Sequence, residues 1–282
     1  MKPSTRWLGL ALVGISALVF SSAGLFVKGV AADAWTVLFW RGLSAAAITS
    51  LVILITGRQH VEFKGMGKSG IWAGLVGAAG TIAFIPSFKH TSIANVSLLY
   101  AACPFIAGLI MWLWVREKPT FKIILSSLAA LVGVGIIVSG SIGGLNLKGD
   151  LLALWMTFAM AIYLCIYRRF PNTPAAGPSV LLSLVLVPIA WIFSDPLSAP
   201  MREIIIMCLF GVVFSIASVT LAMGARHLPA GETALISALE TPLAPIWAWW
   251  LLNEVPPHAT FIGGSIIFLA VIYSQWRSDA RM

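Results

Sequence analysis

Charge is what this sequence has least of. Asp, Glu, Lys and Arg make up 10% of its 282 residues, where soluble domains carry about 25%. That scarcity excludes a water-soluble fold, because too few solvated side chains exist to cover its surface. Acids are scarcer still, ten against eighteen bases. The resulting charge of +8 does not read as a nucleic-acid surface, since the cations are scattered through short segments instead of gathered in a patch. Cysteine is nearly absent: Cys103, Cys165 and Cys208 lie far apart within apolar stretches and have no metal-ligand spacing, so they read as small packing residues. His60, His90, His227 and His258 all fall at the ends of apolar runs, which leaves no mid-span base and no metal cluster. A membrane-embedded enzyme needs a nucleophile with its base, or clustered carboxylates, at one depth. With Glu240 the only carboxylate near the middle of a run, no catalytic residue, metal or cofactor is expected.

What the sequence has in abundance is apolar length. Hydrophobic residues make up 59% of the chain, and a bilayer core is crossed by about 20 apolar residues. Runs broken by charge or by Pro and Gly predict ten spans, at 7–28, 34–56, 69–90, 93–115, 121–139, 149–169, 176–193, 203–226, 231–252 and 258–276. The first follows Lys2 and Arg6 as a signal peptide would, but it lacks a small-residue cleavage site and reads as a membrane helix. Connections such as 29–33 and 253–257 are too short to house a separate domain, so function must lie between the helices. Cations are biased toward the cytoplasmic side of short loops. An inside N-terminus puts 13 of the 18 Lys and Arg there and leaves Lys28, Arg41, Lys89, Lys148 and Arg202 on the other side. Both termini are therefore expected in the cytoplasm. Trp7, Trp72, Trp112, Trp114, Trp191 and Trp276 fall near predicted span ends, where they suit the interfacial belt.

An internal repeat organises the chain. A shift of 137 positions lays His90 on His227, Leu98 on Leu235, Ala101 on Ala238, Ala107 on Ala244, Trp112 on Trp249, Glu117 on Glu254 and Pro119 on Pro256. Matched Trp, Glu and Pro at a helix exit are not generic lipid-facing composition. Two halves with five spans each, 1–139 and 149–282, must enter the membrane in opposite senses. Such inverted repeats expose a midplane site first to one side and then to the other. The repeat points to transport.

The same residues resemble the drug/metabolite transporter superfamily, in particular its EamA-type ten-helix carriers. The likeness is carried by Phe26-Val27-Lys28 followed by Arg41, by the run Phe88 to Ala94, and by Pro104 followed by Glu117. In the second half it is carried by Ala225 to Gly231, Glu240-Thr241-Pro242, Glu254 and Gly263. The resemblance implies a tapering basket of helices around a central cavity, with the fifth and tenth peripheral. Within the superfamily the chain is most similar to exporters of amino acids, including aromatic ones, from the bacterial inner membrane. The cargo so implied is a small metabolite, foremost an amino acid, with cationic drugs or nucleosides as alternatives. Sugar phosphates fit poorly, since no central Lys/Arg cluster would meet a phosphate. The bilayer is the only other partner implied, and no oligomeric state is legible.

Candidate site residues follow from polarity at depth. Glu240, followed by Thr241, could hold a proton or face a cargo ammonium. Arg41 could meet a carboxylate, or else snorkel to the interface or pair with Asp33. Ser21, Ser22, Phe84, Tyr100, Tyr163, Ser218 and Ser237 lie at similar depth and would form a mostly apolar pocket with a few hydroxyls, or else bridge neighbouring helices. Pro86, Pro104, Pro188, Pro242 and Pro245 would kink their spans and serve as hinges. Gly70, Gly74, Gly77 and Gly80 give the third span a smooth face for close packing.

Overall fold

The computed structural model describes residues 3–91, 93–139, 147–252 and 258–276; among them are helices and turns and no strand. The first stretch is α1 (Pro3–Phe20) and α2 (Ala23–Lys28), the second α3 (Ala34–Ile55), and the third α5 (Gly67–His90), reached through a short α4 (Gln59–Glu62) that the sequence did not announce. The fourth is α6 (Ile93–Tyr100) with α7 (Cys103–Val115), and the fifth α8 (Phe121–Val138). Then come α9 (Leu147–Arg169), α10 (Ala176–Phe193), α11 (Met201–Ala225), the pair α12 (Ala230–Ser237) and α13 (Glu240–Leu252), and α14 (His258–Gln275).

Six of the described helical segments are long and apolar enough to cross a membrane: Ala34–Ile55, Val96–Val115, Leu147–Arg169, Ala176–Phe193, Met201–Ala225 and His258–Gln275. Thr5–Phe20 and Phe121–Ile137 are apolar but shorter. Length and composition alone thus support six crossings of the ten read from the sequence, and the difference falls on short, interrupted or glycine-rich helices. The outer flanks are those of a protein solvated by lipid, with Leu113, Ile192 and Leu269 at 70%, 75% and 64% exposure. In water such continuous apolar exposure would drive association.

Helix limits repeat along the chain. α6, α7 and α8 begin and end 137 residues before α12, α13 and α14, at all six limits. The packing also exchanges: α5 lies on α9 as α11 lies on α1, α5 on α10 as α11 on α3, and α6 on α9 as α12 on α1, while α3 meets α10 and α8 meets α14. α8 and α14 pack mainly on each other, through the close approach of Gly133 to the Gly263 carbonyl. They sit at the rim of the bundle.

The exchange fails in one place. α12 packs against α7, α8 and α9 as well as α1, whereas α6, its counterpart, makes no comparable contact with α13, α14 or α2 among the described residues. The end of the bundle that holds α12 is consequently filled: Tyr167, Leu228 and Leu235 are fully buried there, with Val13, Ala225 and Ala230. The other end is left hollow. The glycine stripe does what its spacing suggests, since added Cβ atoms at Gly70, Gly74 and Gly77 would strike Met66 or α10 side chains, and one at Gly80 would meet Ala159 of α9.

Candidate central cavity

Three of the helical stretches are broken, and the breaks surround the hollow. Pro104, just after the α6–α7 break, has no N–H to give the Tyr100 carbonyl, and Pro242, just after the α12–α13 break, has none for that of Ala238. The α1–α2 break contains no proline. There Ser21 Oγ donates to Leu18 O at 2.6 Å and Ser22 Oγ to Val19 O at 2.7 Å, a back-bonding pattern that bends helices. α5 and α10, by contrast, run unbroken through Pro86 and Pro188. Expected hinges therefore divide: Pro104 and Pro242 follow breaks, Pro86, Pro188 and Pro245 lie within unbroken helices, and the serine pair makes a break that carries no proline.

The hollow is a cavity of about 770 Å³, within the ~300–1,000 Å³ usual for small-molecule sites. Of the residues singled out in the sequence, Ser21, Arg41, Phe84, Tyr100, Tyr163, Ser218, Glu240 and Thr241 line it. Ser22 and Ser237 do not; the Ser237 hydroxyl is buried with no hydrogen-bond partner among the described residues. Sequence reading overlooked the apolar wall, including Phe20, Met156, Met160, Phe210 and Phe214, along with Ser97 and Thr81. Polar residues stand out in an apolar span, whereas a phenylalanine facing a cavity looks like one facing lipid.

Hydroxyl contacts fix the wall. Ser218 Oγ lies 2.7 Å from Ser179 Oγ of α10, and Trp247 Nε1 donates to Ser21 Oγ at 2.9 Å, tying α13 to the α1–α2 break. Such interhelical bonds are worth roughly 0.6 kcal/mol each in membrane proteins, so they set orientation more than stability.

Arg41 neither snorkels nor pairs with Asp33. It is 4% exposed, and Asp33 caps α3 by accepting from Trp35 N at 2.8 Å and Thr36 N at 3.2 Å. The guanidinium carbon lies 4.2 Å from the centre of the Phe214 ring and 5.5 Å from that of Phe210. Insertion scales put an arginine at mid-helix at ~2.5–3.5 kcal/mol, and a desolvated cation–π contact offsets about 2 kcal/mol. Its Nε and Nη2 have no hydrogen-bond partner among the described residues. Its backbone is pinned on both sides, because Gly42 lies against the Ser183 carbonyl of α10 and Gly211 of α11 lies against the Arg41 carbonyl. Glu240 opens α13 and keeps part of its surface open to the cavity. The described residues give it no ion pair.

The other acids hold the helix ends together. Glu232 of α12 takes Arg6 of α1 at 2.6 and 3.2 Å, and Arg6 also donates to Gln275 of α14 at 2.7 Å. Glu117 takes Arg168 Nη2 and Nε at 2.9 and 3.2 Å. Glu62 accepts from the N–H groups of Ala176 and Gly177 at the start of α10, at 2.9 and 3.1 Å, while Glu203 accepts from those of Ala31 and Ala32, at 3.2 and 3.0 Å. No local pattern gave these acids a role, since the partners named here lie more than 100 residues away except for that of Glu117, and the nearer contact of Glu62, Arg58 at 3.6 Å, is an exposed-side pair one turn away. Just past α11, burial and then the neighbouring Arg226 hold the His227 imidazole below its ordinary range. No group of potential metal ligands occurs among the described residues. Glu254 and Pro256 of the repeat lie outside them.

Comparison with known proteins places this geometry. The chain is 25% identical over 273 residues to the pseudopaline exporter CntI of Pseudomonas aeruginosa strain UCBPP-PA14, with 94% of each chain covered. It is 23% identical over 197 residues to the transporter YwfM of Bacillus subtilis strain 168, with 67% of each covered. A crystal structure only 16% identical matches the fold with a TM-score of 0.81 over 98% of both chains. The model of the EamA-like transporter family matches twice, over residues 7–139 and 147–275. A multi-pass helical membrane chain with a central cavity, covered almost throughout by two copies of that model, belongs to the EamA-like transporter family, part of the drug/metabolite transporter superfamily.

Proposed function

We propose that this protein exports small zwitterionic metabolites, foremost amino acids, across the bacterial inner membrane by alternating access. The observation that carries the reading is the cavity of about 770 Å³ in which one cation, Arg41, and one anion, Glu240, face the same space without pairing. An amino acid supplies the complement of both. The hydroxyls of Ser21, Tyr100, Tyr163, Ser218 and Thr241 and the Phe84 ring add orientation and an apolar seat. A lipophilic cation would leave Arg41 buried without a counter-ion, which disfavours it. Export is supported by the relative from Pseudomonas aeruginosa, an exporter by name.

Alternating access rests on a 5+5 inverted repeat, 1–139 against 149–282, crossing the bilayer ten times with both termini cytoplasmic. The recurrence of helix limits at 137 residues and the exchangeable packing support it, as does the double match of the family model. The closed end, where Arg6, Glu232 and Gln275 meet, is then the cytoplasmic one, and the hollow end faces outward. That is the conformation from which an exporter releases its cargo.

Reconstituted vesicles offered a panel of labelled amino acids test the reading. Flux of at least some amino acids is expected, whereas flux of a lipophilic cation with none for any amino acid overturns it. Accumulation driven by a pH gradient in the wild type but not in Glu240→Gln would assign Glu240 the coupling proton. Normal, gradient-driven transport by a stable Glu240→Gln variant removes that role.

A further inference from the structure

We infer that the part of the cavity between α5, α9 and α10 is the cargo's side-chain subsite, that it takes a bulky apolar group, and that Gly77 sets its width. This rests on the transport reading above and adds what kind of side chain the carrier selects. The 137-residue shift that relates α5 to α11 lays cavity-lining positions on one another: Gly77 on Phe214, Thr81 on Ser218 and Phe84 on Leu221. Packing follows the same exchange, with α5 against α10 as α11 is against α3. The cavity therefore has two related walls, and they differ most at the position of Gly77 and Phe214. On α11 a phenyl ring fills that position, with the Arg41 guanidinium carbon 4.2 Å from its centre. On α5 there is no side chain, and the space goes to Leu182 of α10, whose Cδ1 would lie 2.5 Å from a Cβ on Gly77.

Chemistry divides the walls in the same way. Arg41 and Glu240, the two charged residues of the lining, stand on α3 and α13, and none of the lining residues from α5, α9 or α10 is charged. Those helices supply Met156 and Met160, one turn apart on α9, with Leu182, Val76 and the bare backbone of Gly77. A polar side chain placed there would exchange water for methyl and methylene groups over most of its surface, which is costly, whereas an apolar one loses nothing. The unbranched methionines can repack around side chains of different shape, but a glycine backbone cannot retreat. A Cβ at position 77 would also meet Tyr163 Cδ2 at 3.4 Å. Leu182 and Tyr163 both border the cavity, and since interiors elsewhere are close-packed, the hollow is where the displaced Leu182 tip would go. Gly77 thus keeps the subsite open by letting both neighbours stand back.

The test uses the full chain in nanodiscs and two ladders of compounds: alanine, leucine, phenylalanine and glutamine, and the amines left when each loses its carboxylate. The wild type is expected to bind leucine and phenylalanine about tenfold or more tighter than alanine, and glutamine no tighter than alanine. Gly77→Ala should shrink the preference for the large side chains severalfold while leaving alanine binding unchanged, which a loss of fold would not do. Adding Leu182→Ala, which removes the displaced tip, should restore the preference. Equal binding of alanine, leucine and phenylalanine by the wild type, glutamine bound as tightly as leucine, or wild-type ratios in Gly77→Ala overturns the subsite. So does a fall for all compounds alike that Leu182→Ala does not reverse. If the amines follow size and Gly77 while no amino acid binds, the amino-acid reading fails and the subsite stands; binding of neither ladder overturns both.

Discussion

At Gly211 the backbone of α11 comes so close to α3 that a Cβ would press on the Ser44 hydroxyl, the Arg41 carbonyl and the Ala45 amide. Two of those three are backbone and cannot swing away. Gly211→Ala should therefore cost about 1–3 kcal/mol through overpacking, and any relief by sliding α3 moves Arg41. Gly14, inside α1, has nothing within 4 Å of an added Cβ. Gly14→Ala should be neutral or stabilising by up to about 1 kcal/mol, since glycine is the poorer helix former. Thermal unfolding in one detergent should rank Gly14→Ala at or above wild type and Gly211→Ala several degrees below both. Equal melting temperatures for all three would mean that the crossing is looser than its geometry. Such positions were not legible in advance: both glycines lie in apolar runs, and only the facing helix distinguishes them. The polar wall was easier to foresee, because a buried Arg or Glu needs a reason wherever the helix points. Ser22 and Ser237 stand off the cavity lining for the opposite reason, as a serine satisfies itself on its own helix or hides between two.

At the scale of elements, the closed end is bolted by one network. Arg6, Glu232 and Gln275 join α1, α12 and α14, with the Glu232 side chain 4% exposed. Hydrogen bonds to charged partners contribute about 1.5–3 kcal/mol each, enough to bias two states of similar energy. The repeat carries no equivalent bolt, because 137 positions away stand Gly143, Asn95 and Val138, which cannot form an ion pair. The carrier should thus rest with this end shut. Glu232→Gln should raise the rate at which a cysteine at Leu235, fully buried at present, reacts with a thiol reagent in a background freed of Cys103, Cys165 and Cys208. The exchanged pair Arg6→Glu with Glu232→Arg should restore protection. Unchanged labelling in Glu232→Gln would show that apolar packing alone keeps the end shut. The outer limits of the stretches that hold these elements were legible to within a few residues, since apolar runs and turn residues mark them, but the breaks after Phe20 and Ser237 and the bolt were not. Its partners are 226 residues apart, and no local pattern couples them.

For the whole molecule, the 137-residue offset of the seven identities recurs in the limits of α6–α8 and α12–α14, yet the packing of those helices shows an asymmetry that sequence cannot express. Related sequences permit two mirror arrangements, and the one adopted has α12 seated on α7 while α6 stands away from α13. At the seated contact a Cβ on Gly231 would lie 3.9 Å from the Gly108 Cα, close enough for a disulfide, which spans about 4.4–6.8 Å between Cα atoms. Shifting each partner along the repeat, back by 137 for one and forward for the other, converts Gly231 and Gly108 into Ala94 and Pro245. If the transport cycle consists of the two halves trading conformations, Ala94 must approach Pro245 in the state that opens the other end. Cysteines at 231 and 108 should cross-link readily without cargo, while those at 94 and 245 should cross-link slowly and faster during turnover. Each bond should stop flux, and reduction should restore it. Full transport through an intact 231–108 cross-link, or no bond at all between 94 and 245 during turnover, would mean that access changes by some movement other than this exchange.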